Sequence, residues 1–460
     1  ISRIEEMKQL NNQWVPVTGH ALPDQRLSLN ISRLIKTEKG KLGNMTSVNY
    51  SNTFDHNEIK LADYMVYDYI LNKPGVLYSF TDEQYTSSVK TSIIHNWAYT
   101  FGKGNKIELR NLFNQIGKDG TTERNGHDFN NDLTIRSYSY RYHSRTTYSS
   151  QLGGEHSFRD GLQKFDWTFG LSLANRNDPD QKQVQTVLIT NPVNPNYGLY
   201  ETSINQFVDP NRAGRIFMKL HEMIYSFNSN YSATFDLLGL KPEFKTGIYA
   251  EQKNREFNAR LLGYKQAPQY DASLGFLPLD QLFSDLNIND STGLIPGEST
   301  SKSDSYSANN FQTGVYAGLR IRLNGLLEIY PGARFEFNKQ QLTGYDRQQQ
   351  KQMIKNISAR IYPSVNISLN LNERLIARGA YGLTINRPEF REIAPFHFYD
   401  FEENKSYSGN SELKDALIQN YDLRLEYYPS LAEIISVGGF YKNFSNPIEL
   451  GIINIGGGSV

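Results

Sequence analysis

The residues that could do chemistry in this chain are charges placed at alternate positions between apolar neighbours. Glu108, Arg110, Arg320, Arg322, Glu328, Arg334, Glu336, Arg378, Asp422, Arg424 and Glu426 all fall in such a pattern. Side chains alternate faces along a strand, so in Tyr421–Tyr427 the apolar residues point one way and Asp422, Arg424 and Glu426 the other. Charges of both signs on one face can neutralise one another in a lattice of ion pairs. They can also touch a polar solute passing over that face. Their mixed signs argue against a pore strongly selective for anions or cations. Arg320, Arg322, Arg378 and Arg424, with the loop aromatics Tyr399 and Phe401, are the candidates for substrate contact. Phe396, Phe398 and Tyr407 belong to the same aromatic loop, and aromatics of this kind also fold large loops onto themselves.

No catalytic constellation accompanies them. The eight histidines, at 20, 56, 95, 127, 143, 156, 221 and 397, form no His-x-x-x-His or His-Glu-x-x-His pattern. His95 shares a face with Trp97 and reads as an interfacial side chain. Asp128-Phe129-Asn130-Asn131-Asp132 has the composition of a calcium loop, but its spacing fits no EF-hand. There are no cysteines, so thiolate chemistry and Cys-ligated metal are excluded. The chain calls for no cofactor and is not read as an enzyme.

The elements that must carry these charges are seven amphipathic hairpins. The first runs from Leu27 to about Asn52 with a turn near Glu38-Lys39-Gly40. The second pairs the Ile93–Phe101 stretch with Ile107 onward, across Gly102-Lys103-Gly104-Asn105, where Gly and Asn tolerate positive φ. The others turn at Arg159-Asp160-Gly161, Leu238-Gly239, Asn324-Gly325, Asn372-Glu373 and Pro429-Ser430-Leu431. That gives fourteen strands. The connections between hairpins read as long loops at about 53–91, 114–133, 175–215, 257–311, 344–357 and 387–417. Residues 1–26 read as an irregular lead-in.

The fifth hairpin fixes its own register. A two-residue loop at 324–325 would pair Arg322 with Leu327 and mix the two faces. A three-residue loop, 324–326, pairs Arg322 with Glu328 and keeps them matched, with Gly325 free for a left-handed conformation. The longer loop and an inward Arg322–Glu328 pair are therefore expected.

Composition narrows the class. The 460 residues carry a formal net charge of zero, which gives no argument for nucleic acid as a partner. Only 38% are hydrophobic and the mean hydropathy is −0.56. No apolar run approaches the roughly 18 residues of a spanning helix, while a membrane barrel survives because half of each strand faces water. The 30 tyrosines and 25 phenylalanines suit aromatic girdles at bilayer interfaces. Ile1 opens no signal peptide, so the chain reads as mature or as lacking its beginning. Every short turn falls at one end and every long connection at the other. That alternation predicts an all-β, antiparallel, up-and-down transmembrane barrel with lipid outside and a wet bore.

One stretch carries a family resemblance. Asn386-Arg387-Pro388-Glu389-Phe390-Arg391-Glu392-Ile393, then Gly409-Asn410-Ser411-Glu412-Leu413-Lys414, then Asn420-Tyr421-Asp422-Leu423, is similar to the late barrel of TonB-dependent outer-membrane receptors. The inserted Pro395–Phe401 segment resembles the Bacteroidetes members. Ser411 departs from the usual Pro, and Asp415-Ala416 from Pro-Glu. The resemblance implies that residues 387–417 are an extracellular loop, which orients the rest by alternation. It implies a barrel of about 22 strands, fourteen of them here and about four missing at each end, around a plug that is not seen in this chain. It implies outer-membrane lipid and, through the plug, TonB as partners, with a surface lipoprotein as a further one, and import of a scarce polar nutrient such as a siderophore, vitamin, glycan or peptide. The rivals are a passive porin with an inward constriction loop, a surface binding or assembly protein, and a soluble propeller. The propeller needs blades repeating every 40 or so residues, and the connections here are too uneven for that.

Overall fold

The computed structural model describes residues 3–70, 72–346 and 348–452. After a short helix α1 (Arg3–Lys8), the strands are β1 (Gln25–Thr37), β2 (Gly40–Asp68), β3 (Lys73–Phe101), β4 (Asn105–Asp128), β5 (Leu133–Phe158), β6 (Gln163–Leu188), β7 (Tyr200–Thr202), β8 (Ala213–Thr234) and β9 (Glu243–Gln266). They continue with β10 (Leu294–Glu298), β11 (Tyr306–Leu323), β12 (Leu327–Tyr345), β13 (Lys351–Asn370) and β14 (Leu375–Asn386). The last are β15 (His397–Asp400), β16 (Lys405–Ser408), β17 (Ala416–Ser430) and β18 (Glu433–Ser445). Fourteen of them form one sheet in the order β1-β2-β3-β4-β5-β6-β8-β9-β11-β12-β13-β14-β17-β18. Every neighbour in that path is antiparallel, and β1 and β18 are its two edges among the described residues. β7 and β10 extend it beside β6 and β9, and β15–β16 is a separate hairpin.

Short turns at 38–39, 102–104, 159–162, 235–242, 324–326, 371–374 and 431–432 close one end of the sheet. The expected register holds at the fifth. Arg322 faces Glu328 and Leu323 faces Leu327, leaving 324–326 as the loop. Asn324 and Gly325 take φ of 51° and 68°, the left-handed region that costs a glycine little.

The other end differs from the sequence reading. Residues 53–91 and 114–133 are strand over most of their length, because β2 runs on to Asp68 and β3 starts at Lys73, and β4 and β5 run to a turn at 129–132. Within 175–215, β6 continues to Leu188 and β8 begins at Ala213; within 257–311, β9 continues to Gln266 and β11 begins at Tyr306. The stretch 344–357 holds the end of β12 and the start of β13. Most of these segments lack a continuous apolar face, and the apolar end of β9 adjoins a long polar connection, so they read as loop. The ladder of backbone hydrogen bonds continues regardless, since hydrogen bonding and not side-chain polarity defines the strand.

Along the lower sheet the two faces are distinct. Phe169, Leu423, Leu425 and Tyr427 lie exposed on the outward face, and Trp167 is half-exposed with its indole N–H donated to His156 Nε2 at 3.2 Å. On β13 the outward positions Leu369, Ile367, Val365, Pro363, Ile361, Ala359 and Ile357 are all apolar. At about 3.3 Å per residue and a tilt near 40° that run stands roughly 30 Å tall, the thickness of a bilayer's hydrocarbon.

The 29-residue strands β2 and β3 stand roughly 70 Å tall by the same arithmetic, so their upper halves project well beyond such a band. Part of the upper wall is covered by protein. On β9, Leu262 and Tyr264 share the outward parity of Ile248, yet they are buried, and what covers them is the N-terminal segment with residues 272–294. Trp14 is fully buried, stacked on Phe283 with centroids 4.2 Å apart and edge-on to Tyr264 at 6.1 Å. The buried Arg215 donates to Asp180 Oδ2, Asn11 O and Asn12 Oδ1, each at 2.6 Å. Asp180, with φ of 88°, sits at the register shift between Pro179 and Gln181. The lead-in is therefore a strap docked on the outer wall.

Candidate functional site

The inward face carries a repeated unit, a carboxylate held between two cations. Glu328 Oε2 accepts from Arg322 Nε at 2.7 Å, and Glu328 Oε1 lies 3.6 Å from Arg320 Nε. Glu426 lies 3.2 Å from Arg378 Nε and 3.1 Å from Arg424 Nε. Glu108 sits between Lys106 and Arg110, and Glu243 between Lys245 and Arg320. All stand within a few residues of the short turns, so they form a belt at that end of the bore. The four arginines singled out from the sequence are thus brought together in pairs, each pair sharing one glutamate. A cleft of about 280 Å³ joins the two groups, lined by Glu328, Ser368, Arg378, Asp422 and Arg424 among others. With more cations than carboxylates, the belt keeps guanidinium N–H groups facing water.

Above the belt, aromatic rings and guanidinium groups lie flat against the wall. Arg320 stands 5.2 Å and Lys245 5.9 Å from the Tyr330 ring centroid. The ring rests over Gly318, where an added Cβ would stand 2.9 Å from it. A glycine there lets a large side chain lie down instead of standing into the bore. Higher still, Glu336 is shared by Arg334 and Arg387, and Asp178 by Arg141 and Arg176 at 3.2 and 2.6 Å.

At the mouth, the connection between β14 and β17 folds inward. Gln340 Nε2 donates to Pro388 O at 2.7 Å, and a one-turn helix α3 (Phe390–Ile393) follows. Phe396 packs on Phe257 with centroids 5.0 Å apart. The β15–β16 hairpin then reaches β3 and β4. Arg124 is buried and donates from Nε and Nη2 to the two oxygens of Asp82, both at 2.8 Å. Its Nη2 also donates to Glu402 O at 3.2 Å and its Nη1 to Asn404 Oδ1 at 3.3 Å. The guanidinium lies between the rings of Phe401, at 4.4 Å, and Phe80, at 5.4 Å. The two candidate aromatics therefore stand apart from the four arginines. Phe401 is buried as an anchor of the hairpin, and Tyr399 donates its O–H to Asn404 Oδ1 at 2.7 Å. Burial pushes the Tyr399 phenol up to about 12. Between this loop and the wall lies a smaller cleft of about 80 Å³, lined by Arg176, Arg255, Phe257, Tyr306, Arg391 and Phe396.

Arg124 and Asp82 went unnamed in the sequence reading, although Arg124 has the parity of Glu108 and Arg110 on β4. Extending that alternation through the polar upper strand would have found it. Asp128 is spent on its own turn, accepting from Asn130 N, Asn131 N and Asn131 Nδ2. Among the described residues no cluster of three or more His, Asp or Glu could hold a metal ion.

Residues 278–457 match a family described as the outer membrane protein beta-barrel family. Among solved structures, the chain is similar to the ferripyoverdine receptor of the outer membrane of Pseudomonas aeruginosa bound to ferripyoverdine. Identity there is 14% and the TM-score 0.51, over 93% of this chain and 47% of that one. It is similar also to the ferric-catecholate import receptor Fiu of E. coli K12 in its closed form, at 12% identity and a TM-score of 0.51, over 93% and 57%. No curated protein sequence matches. The fold is that of a bacterial outer-membrane receptor barrel. The resemblance to the barrel of TonB-dependent receptors is borne out at the level of fold, and the chain spans about half the length of the structures it matches.

Proposed function

We propose that this chain is the barrel of an outer-membrane receptor that imports a scarce polar nutrient, driven by TonB through a plug domain. The observation that carries the reading is one sheet with a hydrocarbon-width apolar band outside and a belt of shared carboxylates inside. Such a wall suits lipid on one side and a wide aqueous passage on the other. In this reading the long-strand end is extracellular. The cleft beside Arg391 and Phe396 meets the solute first, and Arg320, Arg322, Arg378 and Arg424 meet it near the periplasmic end. One of the named structures is bound to ferripyoverdine and the other is a ferric-catecholate import receptor, which makes a ferric chelate the first cargo to try, with vitamins, glycans and peptides next; a surface lipoprotein resting on the loops is a further partner in this reading. Growth of a deletion strain on defined iron, vitamin, glycan or peptide sources, with and without TonB, tests this. Loss of growth on one source in both deletions supports it, and growth indifferent to TonB rejects it.

The inward hairpin at Arg124 favours one second reading, a passive channel with a constriction loop. Steady conductance of the whole protein in a planar bilayer, with no TonB requirement, would select it.

A further inference from the structure

The upper half of β2 has one side without a strand beside it. β1 covers β2 only from the Gln25–Asn52 pair down to their shared turn, so among the described residues Thr53–Asp63 is paired with β3 alone. Pro23 would come opposite Phe54, and without an N–H it cannot carry the ladder on. The Asp24 carboxylate accepts the Phe54 N–H instead, at 3.2 Å. Backbone groups point to alternate sides along a strand, so this bond fixes which residues face the open side. Beyond Phe54 they are His56, Glu58, Lys60 and Ala62. The edge closes again above them, where the Tyr64 N–H is donated to Asp63 Oδ1 at 2.9 Å. Open edges are ordinarily guarded by proline, by lysine or by a bulge. Here the register against β3 is unbroken from Gly40 to Asp63, and the window holds no proline. Its one lysine, Lys60, lies 3.7 Å from Glu58. The side chains are acidic. Asp55 and Asp63 flank Ile59 and Leu61 on the bore face, and Glu58 stands on the outer one. His56 is engaged by Glu83 at 2.5 Å.

We propose that this window is an interaction surface for an extended, basic polypeptide segment of another protein, which adds to β2 as a strand. Antiparallel addition is the more stable kind and exchanges both backbone bonds with each of the four open residues. Three carboxylates against one ammonium group select the partner's charge. Lysines or arginines opposite Asp55, Glu58 and Asp63 make cross-strand pairs, and apolar residues opposite Ile59 and Leu61 cover the bore face. The slot lies directly above the start of β1, in line with it, so one added strand fits the sheet without moving β1. The proposal rests on the orientation in the reading above, with the long-strand end outside, so the partner arrives from the extracellular side.

The test uses the full-length protein in nanodiscs and a fluorescent peptide, Lys-Thr-Val-Thr-Val-Lys-Thr-Thr-Lys, whose lysines fall opposite Asp63, Glu58 and Asp55. Two control peptides carry glutamate for lysine, or methyl groups on the four backbone nitrogens that would face β2. The expected result is binding of the first peptide alone. Asp55→Asn and Asp63→Asn should each weaken it by about fivefold, the upper size of a cross-strand charge pair. Lys60→Pro separates strand addition from plain charge attraction. It removes an N–H that faces the open side, spares the ladder with β3, and leaves the edge more acidic. Strand addition predicts binding weaker by about tenfold, from the bonds lost; charge attraction predicts tighter binding. Equal binding of either control peptide, unchanged binding in the asparagine variants, or tighter binding in Lys60→Pro would overturn the proposal. Heat-modifiable gel migration shows that each variant is folded, and the methylated peptide puts the same question to the native protein if Lys60→Pro is not. Nutrient-dependent growth reports on import separately, so either idea can fail alone.

Discussion

Replacing Arg124 by alanine should free the inward hairpin from the wall. In the native protein Asp82 is fully buried and both its oxygens are taken by Arg124. Removing the guanidinium leaves a carboxylate without a partner, and breaking a buried pair in this way costs about 3–5 kcal/mol. The same change removes the donors to Glu402 O and Asn404 Oδ1 and the face-on contact with Phe401. The hairpin then keeps its contacts around Phe396 and Phe398. Hydrogen exchange of residues 397–408 in the full protein should rise by a factor of 100 or more, since about 3 kcal/mol is a little over two decades. The double variant Asp82→Leu/Arg124→Met should recover global stability, because an apolar pair of similar volume is often neutral or better. It should not restore protection of the hairpin tip, whose acceptors still lack donors. Exchange in Arg124→Ala that matches the native protein would refute the reasoning.

Trp14→Ala should detach the strap. A buried Trp-to-Ala change costs about 3–5 kcal/mol, and proteolysis ahead of β1 should accelerate while the barrel stays intact. Gly318→Val should push the Tyr330 ring off the wall, at about 1–3 kcal/mol, read as a lower unfolding temperature. Acid should loosen the strap as well. The Arg260 guanidinium holds the Glu6 and Glu298 carboxyls below the usual carboxylate value of 4.5. A depressed carboxyl contributes stability that is present above its unfolded value and lost as pH falls through the folded one. Protection of residues 3–10, taken relative to the intrinsic exchange rate at each pH, should therefore be flat from pH 7 to 5 and fall below about 4.5; a loss of protection already between pH 7 and 6 would contradict the assignment.

The strands that face hydrocarbon were legible because lipid on one side and water on the other force an alternating pattern. That pattern gave seven hairpins, their turns, and the pairing of Arg322 with Glu328. It failed beyond the hydrocarbon band, as along Thr53–Asp68 and Lys73–Thr91, since polar residues on both sides read as loop. The docking of Trp14 on Phe283 and of Phe401 on Arg124 was also beyond reach. Both contacts join residues hundreds of positions apart, and Trp14, Phe283 and Phe401 lie in no periodic segment. The belt was half-legible: its arginines were named, but the sharing of one glutamate by each pair depends on cross-strand geometry.

The central claim is that one face of this sheet meets hydrocarbon while the other meets water. Single cysteines placed at 421 through 427 in this cysteine-free chain, carrying a spin label, measure it directly in the membrane. The account predicts that oxygen accessibility peaks at 421, 423, 425 and 427, and that a water-soluble nickel chelate reaches 422, 424 and 426. Labels at 423 and 425 shielded from both probes, or equal profiles on the two faces, would contradict it.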